Sequence, residues 1–178
     1  MRRITTIQLR ILGSLLLLTA LLATGCKDSG PAGTLLEAGR PAPDFALEDL
    51  EGRTWRLSEQ RGKVIFLNFW ATWCPPCRQE MPDMEALHRE MTLTGQPFQM
   101  LAVLSNDDPA NGALMAEKIG LTFPILKDEE ALTAQAYGLT GIPETFIIDG
   151  NGMVRERLSG ARPWNSPESR GMLSQYLP

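Results

Sequence analysis

Two cysteines separated by two residues are the side chains of this sequence best suited to chemistry. Cys74 and Cys77 lie in the segment FWATWCPPCRQEMP, residues 69–82. At this spacing two thiols could form half of a metal site, a structural disulfide, or a pair that is oxidised and reduced in turn. A closed zinc site needs four ligands, usually from a second Cys/His pair at similar spacing. Apart from Cys26, which is assigned to a lipid below, only His88 remains, eleven residues after Cys77 on the same predicted helix. We therefore predict no metal site.

Two further interpretations of the pair are weaker. A copper site could use His88 with Met81, Met84 and Met91, but methionines at helical spacing usually fill a core. A purely structural disulfide between Cys74 and Cys77 would close a very short loop, which gains little entropy compared with a long one. A redox pair is therefore favoured.

The residues around the pair predict a buried strand before it and a helix after it. The run 63–70 (KVIFLNFW) is apolar except for Asn68 and Lys63, as in a central strand covered on both faces. Residues 75–91 carry apolar side chains at helical spacing. A thiol at this junction lies near free N–H groups and the helix dipole, which lower its pKa. Cys74 is therefore predicted to be the exposed nucleophile, and Cys77 the less accessible thiol that resolves a mixed disulfide.

The remaining periodic segments complete an α/β domain. Strands are expected near residues 45–48, 54–57, 98–104, 123–126 and 145–149, and helices over 109–118, 129–137 and 166–176. Residues 149–152 (DGNG) predict a hairpin turn before a last strand. This order predicts a mixed central sheet flanked by helices.

The N-terminal residues have the pattern of an export signal. Residues 1–25 begin with three arginines, continue as the apolar run 11–22, and end on small residues before Cys26. The run is short for a membrane span, which needs roughly 20 residues, so an uncleaved anchor is the weaker alternative. The ending LLATGC resembles the bacterial lipoprotein signal, whose cysteine becomes the lipid-bearing first residue. We predict a lipoprotein-type signal peptide over 1–25 and lipid attachment at Cys26, the alternative being an ordinary thiol.

A flexible tether is predicted to connect the lipid to the folded domain. Residues 26–40 are rich in Gly, Ala and polar side chains, so the domain would span 41–178. Loss of the three signal arginines changes the net charge from -4 to -7. An acidic surface with no Lys/Arg run argues against a nucleic-acid partner. In the exported, disulfide-permissive compartment, Cys74 and Cys77 could pair with each other or with a partner.

The segment VIFLNFWATWCPPCRQEMP resembles the active-site segment of the thioredoxin superfamily, and within it the exported TlpA-like and ResA-like thiol-disulfide oxidoreductases. The resemblance covers residues 39–178 and includes W-C-x-x-C, Pro82 and the later proline of GIPETFIIDGNG. It implies a thioredoxin-like fold with an N-terminal β-hairpin extension. It also implies Cys74 as nucleophile, Cys77 as resolving thiol, and no cofactor beyond their redox-active disulfide.

The same resemblance assigns a surface for the partner. Ile142-Pro143 matches the cis-proline peptide that packs beside the disulfide and helps to bind an extended chain. Trp73, Pro75 and Pro76 are assigned to the same substrate-binding surface. The alternative for Pro143 is an ordinary loop proline.

One residue departs from the thioredoxin pattern. Thioredoxins carry a buried Asp six residues before the nucleophile, where this chain has Asn68, and an amide cannot act as a base. Glu80 lies three residues after Cys77, on the same helix face, and matches a glutamate of the ResA-like group. It is the predicted substitute, and Glu144 is the second candidate acid. For both, the alternative is a solvated surface glutamate.

These assignments predict a monomeric, membrane-tethered, periplasm-facing enzyme that reduces disulfides in exported proteins. GIPETFIIDGNG also looks like the cytochrome c maturation thioredoxins, which makes apocytochrome c the expected substrate and a membrane thiol-disulfide carrier the electron donor. Alternatives are a disulfide-forming oxidase that uses the same residues and a non-catalytic lipoprotein. Residues 41–55 also resemble the opening of peroxiredoxins, but Leu67 and Ala71 replace the residues that a peroxidase needs before its cysteine.

Overall fold

The cysteine pair follows the central strand of a five-stranded sheet. The structure, a computed structural model, describes residues 35–177, so the predicted signal peptide, Cys26 and the tether up to residue 34 lie outside the described residues. The strands are β1 (Ala46–Glu48), β2 (Thr54–Arg56), β3 (Val64–Trp70), β4 (Phe98–Ser105), β5 (Ile125–Asp128), β6 (Glu144–Ile148) and β7 (Val154–Ser159). The helices are α1 (Pro75–Leu93), α2 (Pro109–Ile119), α3 (Leu132–Ala136) and α4 (Pro167–Ser174).

The sheet is mixed, as the sequence predicts. Its strand order is β5-β4-β3-β6-β7, in which β3, β4 and β5 are parallel and β6 and β7 run antiparallel to their neighbours. All seven residues of β3 are buried. This agrees with an apolar run without alternation, because both faces of the strand are covered.

Successive side chains of β3 enter two different cores. Phe66 and Trp70 pack with residues of α1, α2 and α4. Leu67 packs on the opposite face, with α3 and the N-terminal residues. Asn68 therefore points toward α1, and so does Thr145, its direct partner on antiparallel β6.

The segment around Asp128 differs from the prediction. The predicted strand 123–126 is observed two residues later, since Pro124 has no N–H for the sheet and precedes β5. The predicted helix 129–137 is shortened because Ala131 has a left-handed φ of 54° and stands immediately before α3. The buried Asp128 carboxylate accepts two backbone N–H groups of the first turn of α3, which places the helix start there.

The N-terminal part of the described chain forms hydrogen bonds with both outer strands of the sheet, β5 and β7. Strands β1 and β2 form the predicted hairpin, which bonds to β5 through Leu50 N–H and the Ile125 carbonyl at 3.0 Å. Gly39 and Arg40, which the sequence assigns to the tether, form backbone hydrogen bonds with Val154 at the start of β7.

Candidate active site

Cys74 is the N-cap residue of α1. Its backbone is extended (φ -90°, ψ 107°), and its Sγ accepts the Cys77 backbone N–H at 3.3 Å. Pro75 and Pro76 occupy the first turn, where the missing N–H groups would have no helical partner. The Cys74 and Cys77 sulfurs are bonded to each other, and their Cα atoms lie 5.3 Å apart. The first N–H group of α1, that of Cys77, therefore points at the Cys74 sulfur, which favours its thiolate form after reduction.

Cys74 is more buried than the sequence predicts. Only 3% of Cys74 and none of Cys77 is exposed. Its predicted exposure is therefore wrong for the disulfide form, because Cys74 Sγ lies 3.7 Å from the Ile142 carbonyl oxygen, at the edge of the neighbouring loop. Cys74 still has the larger exposed fraction of the two, in keeping with the different roles predicted for them.

The predicted partner-binding residues surround this sulfur. The Ile142-Pro143 peptide is cis, as predicted. Trp73 is 57% exposed, while its Nε1 donates to the Asn106 carbonyl at 3.3 Å. Pro75 and Pro76 are also exposed. An apolar surface with one fixed aromatic ring therefore borders Cys74.

The loop before Cys74 is held by a residue that the sequence analysis missed. Both Oγ1 and the backbone N–H of Thr72 donate to Asp107 Oδ2 at 2.6 Å. Burial raises the pKa of Asp107, but the hydrogen bonds from Thr72 outweigh it and the net shift is downward. The sequence could have indicated Asp107, because it follows β4, which runs parallel to β3. The carboxyl ends of the two strands therefore lie at one edge of the sheet, where sites are common.

Glu80 lies on α1, three residues after Cys77, and only 2% of the residue is exposed. Its Oε1 accepts Asn68 Nδ2 at 3.0 Å, and its Oε2 accepts Trp164 Nε1 at 2.9 Å and the Arg162 backbone N–H at 3.2 Å. Burial raises the pKa of Glu80, and the hydrogen bonds from Trp164 and Asn68 oppose this only in part. The surface alternative for Glu80 is therefore wrong, and its role in the proton step stays a prediction.

Glu144 is buried on the other face of the sheet. It stands opposite Phe69 in the β3–β6 register, one residue from Thr145, so its side chain points away from Glu80. Arg157 donates to it through Nε (2.7 Å) and Nη2 (3.2 Å), and the Ser159 hydroxyl donates at 2.8 Å. The structure thus does not bring the two candidate acids together, and Glu144 is held in an ion pair.

We expect Glu144→Gln to change stability rather than proton transfer. The substitution leaves the poorly exposed Arg157 guanidinium without its counter-charge, which should lower the free energy of unfolding by about 3 kcal/mol. Urea unfolding measures this, with the exposed Glu51→Gln as a control that should stay within about 0.5 kcal/mol. The pH profile of disulfide reduction should keep its shape. A displaced pH profile would instead support Glu144 as the second acid.

The alternative metal ligands do not assemble. Among residues 35–177, no three His, Cys, Asp or Glu side chains come together as a metal site. Met81 and Met84 are core residues on the buried face of α1, and His88 packs edge-to-face on Phe123. Within the same residues, no helix has the length and apolar character needed to cross a membrane.

Residues 38–157 match the AhpC/TSA family. The chain belongs to this family. This AhpC/TSA protein is 42% identical over 160 residues to the thiol-disulfide oxidoreductase ResA of Geobacillus thermodenitrificans. The aligned residues cover 90% of this chain and 91% of ResA. It is 37% identical over 121 residues to the thioredoxin-like protein YneN of Bacillus subtilis, covering 68% of this chain and 71% of YneN.

A solved structure agrees with these relatives. A thiol:disulfide interchange protein of the thioredoxin family from Chlorobium tepidum superposes with a TM-score of 0.66 at 28% identity, over 77% of this chain and 95% of the other. The predicted superfamily, fold class and enzyme class are therefore confirmed: this AhpC/TSA protein is a thiol-disulfide oxidoreductase with a thioredoxin-like fold. The residues that a peroxidase needs before its cysteine are replaced by Leu67 and Ala71.

Proposed function

We propose that the protein is a membrane-tethered, extracytoplasmic reductase of disulfides in other exported proteins. The observation that carries this proposal is the position of Cys74 Sγ. It lies at the N-terminus of α1, next to the cis-proline loop, and Cys74 is the one residue of the pair that keeps some exposed surface, 3% against none for Cys77. A partner disulfide can therefore reach Cys74 but not Cys77.

These positions support the following reaction. In the reduced protein, the Cys74 thiolate attacks one sulfur of the partner disulfide, and the other partner sulfur leaves as a thiolate that takes up a proton. Cys77 then loses its proton to Glu80 and attacks Cys74 Sγ. This step releases the partner's second sulfur as a thiolate, which takes up a proton from solvent, so the partner ends as a dithiol and the protein as the Cys74–Cys77 disulfide.

The surface beside Cys74 suits an unfolded or extended chain. Trp73 and the two helix prolines present exposed apolar surface, and the Ile142 carbonyl faces the attacking sulfur. Aromatic side chains held in place are frequent anchors at protein interfaces. We propose apocytochrome c as the substrate, on the resemblance of GIPETFIIDGNG to the cytochrome c maturation thioredoxins, and a membrane thiol carrier as the electron donor.

Trapping tests the function and the partner together. Cys77→Ser can attack a disulfide but cannot resolve the product, so it should accumulate a mixed disulfide through Cys74 in cells. The partner is then identified by mass spectrometry after reduction, with the double variant Cys74→Ser/Cys77→Ser as the matched control. Equal recovery from both would contradict the proposal.

Two further measurements address direction and location. In a redox titration against glutathione, a potential as oxidising as that of DsbA-type oxidants (about -120 mV) would argue for the oxidase alternative. Cys26→Ser should release the protein from the membrane fraction, and retention would contradict lipid attachment at Cys26.

A further inference from the structure

Asn68 has hydrogen bonds at only one end of its amide. Its side chain is fully buried in the middle of β3. Nδ2 donates to Glu80 Oε1 and to Thr145 Oγ1, both at 3.0 Å. Oδ1 is buried and has no hydrogen-bond partner among residues 35–177. An unpaired buried acceptor costs about 1–3 kcal/mol, so this orientation of the amide is not stabilised from both ends.

The two oxygens of the Glu80 carboxyl group have donors of different kinds. Oε2 accepts from the Trp164 indole N–H and the Arg162 backbone N–H, and both groups can only donate. Within the described residues, Oε1 accepts from Asn68 alone, and an amide has an acceptor end as well as a donor end. A proton on Glu80 is therefore placed on Oε1, and when this O–H points at Asn68, its hydrogen bond with Asn68 reverses.

The surroundings of Asn68 allow this reversal. A half-turn of the amide puts Oδ1 where Nδ2 stood, so that it accepts from the protonated Glu80 Oε1. The Thr145 hydroxyl, which can donate as well as accept, then donates to Oδ1. Nδ2 moves to the buried position that offers no partner, so each orientation leaves one end of the amide unpaired.

We propose that the Asn68 amide turns over whenever Glu80 gains or loses its proton, which makes Asn68 a positioning residue for the proton step. The inference rests on the proposed role of Glu80 as acceptor of the Cys77 proton. In that step the S–H bond of Cys77 breaks and an O–H bond forms on Glu80 Oε1. The amide changes orientation and transfers no proton itself.

Few other groups can influence this titration. From β3 and β6 the neighbours of Glu80 are neutral, namely Asn68 and Thr145. Cys77 stands one turn earlier on α1, and the segment after β7 contributes the neutral Trp164 and the charge of Arg162, which favours the carboxylate. An aspartate at position 68 would instead bring a second carboxylate into the same buried site, where both could not ionise together.

Side-chain NMR of the oxidised protein tests the turnover directly. We expect the Asn68 side-chain ¹H and ¹⁵N resonances and the Glu80 carboxyl ¹³C resonance to shift with the same midpoint when pH is varied. The coupling across the hydrogen bond between Asn68 ¹⁵Nδ2 and the Glu80 carboxyl ¹³C should disappear at the acid end, where Nδ2 no longer donates to Glu80. Glu80→Gln carries a permanent N–H₂ donor in place of the protonated oxygen. Its Asn68 resonances at neutral pH should match those of the wild type at the acid end of the titration.

Glu85→Gln is the matched control, because Glu85 is also buried on α1 and hydrogen-bonded, but to Thr122 and Arg89. It should leave the Asn68 resonances at their wild-type values. Asn68 resonances that stay constant while Glu80 titrates would overturn the inference, even if Glu80→Gln fails to fold. A failure of the proposed reductase activity would appear in the trapping experiment and not in this titration.

Discussion

Cys74→Ser is expected to lower the rate of insulin disulfide reduction at least about 1000-fold. A serine hydroxyl at the N-cap of α1 can still accept the Cys77 N–H, so the helix start should be kept. A neutral hydroxyl is a poor nucleophile toward a disulfide, and removal of a covalent nucleophile typically abolishes most of the catalysis. The measurement is insulin turbidity with dithiothreitol as reductant.

The control for this loss is Cys26→Ser, the same substitution at the third cysteine, which should reduce insulin at the wild-type rate. Cys77→Ser separates the two roles: it should still attack, but release no product without an external thiol. Equal turnover by Cys74→Ser and the wild type would contradict the assignment of Cys74 as nucleophile.

Glu80→Gln is expected to slow the resolution of the mixed disulfide by about 100-fold, the lower end of the usual effect of a general base. The glutamine keeps an oxygen that can accept from Trp164 and Arg162, so the packing of the site is preserved. It cannot take the proton from Cys77. Single-turnover kinetics on a labelled peptide disulfide measure this step, and an unchanged rate with an unchanged pH profile would rule out Glu80 as the acceptor.

The same variant should remove a pH trend in stability. Burial raises the pKa of Glu80 in the folded protein above its unfolded value. The protonated form therefore stabilises the fold below the unfolded pKa, and this contribution is lost as pH rises through the folded pKa. Relative to Glu80→Gln, the wild type should lose about 1.4 kcal/mol for each pH unit between the two pKa values.

Urea unfolding of the oxidised protein from pH 2 to 8 measures this difference. Relative to Glu85→Gln, the wild type should instead gain stability as pH rises. The reason is that the pKa of Glu85 is lowered overall, because its hydrogen bonds from Arg89 and Thr122 outweigh the effect of burial. Its carboxylate stabilises the fold above the unfolded pKa. Parallel pH curves for the wild type and Glu80→Gln would contradict the buried, proton-binding role of Glu80.

Patterns within a few residues of each other predicted most of the fold. The apolar run of β3, the proline start of α1 and the DGNG turn each specify local backbone geometry, and each element is found in its predicted place. The same local rules placed Cys74 at a helix N-terminus. The strand near 123–126 was displaced because Pro124 has no N–H group to donate to the sheet.

The hydrogen-bond partners of Glu80 could not be predicted from such local sequence patterns. Trp164 and Arg162 come from a segment more than 80 residues away, and no spacing rule connects them with α1. Burial of Glu80 is likewise a tertiary property, since its position on the helix faces the segment after β7 instead of water. The side chain of Glu144 points to the face of the sheet opposite to that of its neighbour Thr145. Which of the two faces α1 depends on the register of β6 with β3, which the sequence does not specify.

The pairing of residues 39 and 40 with β7, and of the β1–β2 hairpin with β5, has a consequence for crowding. Unpaired backbone groups along an outer strand can bond to the same strand of another molecule and begin aggregation. Here hydrogen bonds from Leu50 and Gly39 occupy positions on both outer strands. If the proposed lipid anchor holds many molecules on one membrane surface, these two contacts should help to keep neighbouring sheets from pairing at their outer strands.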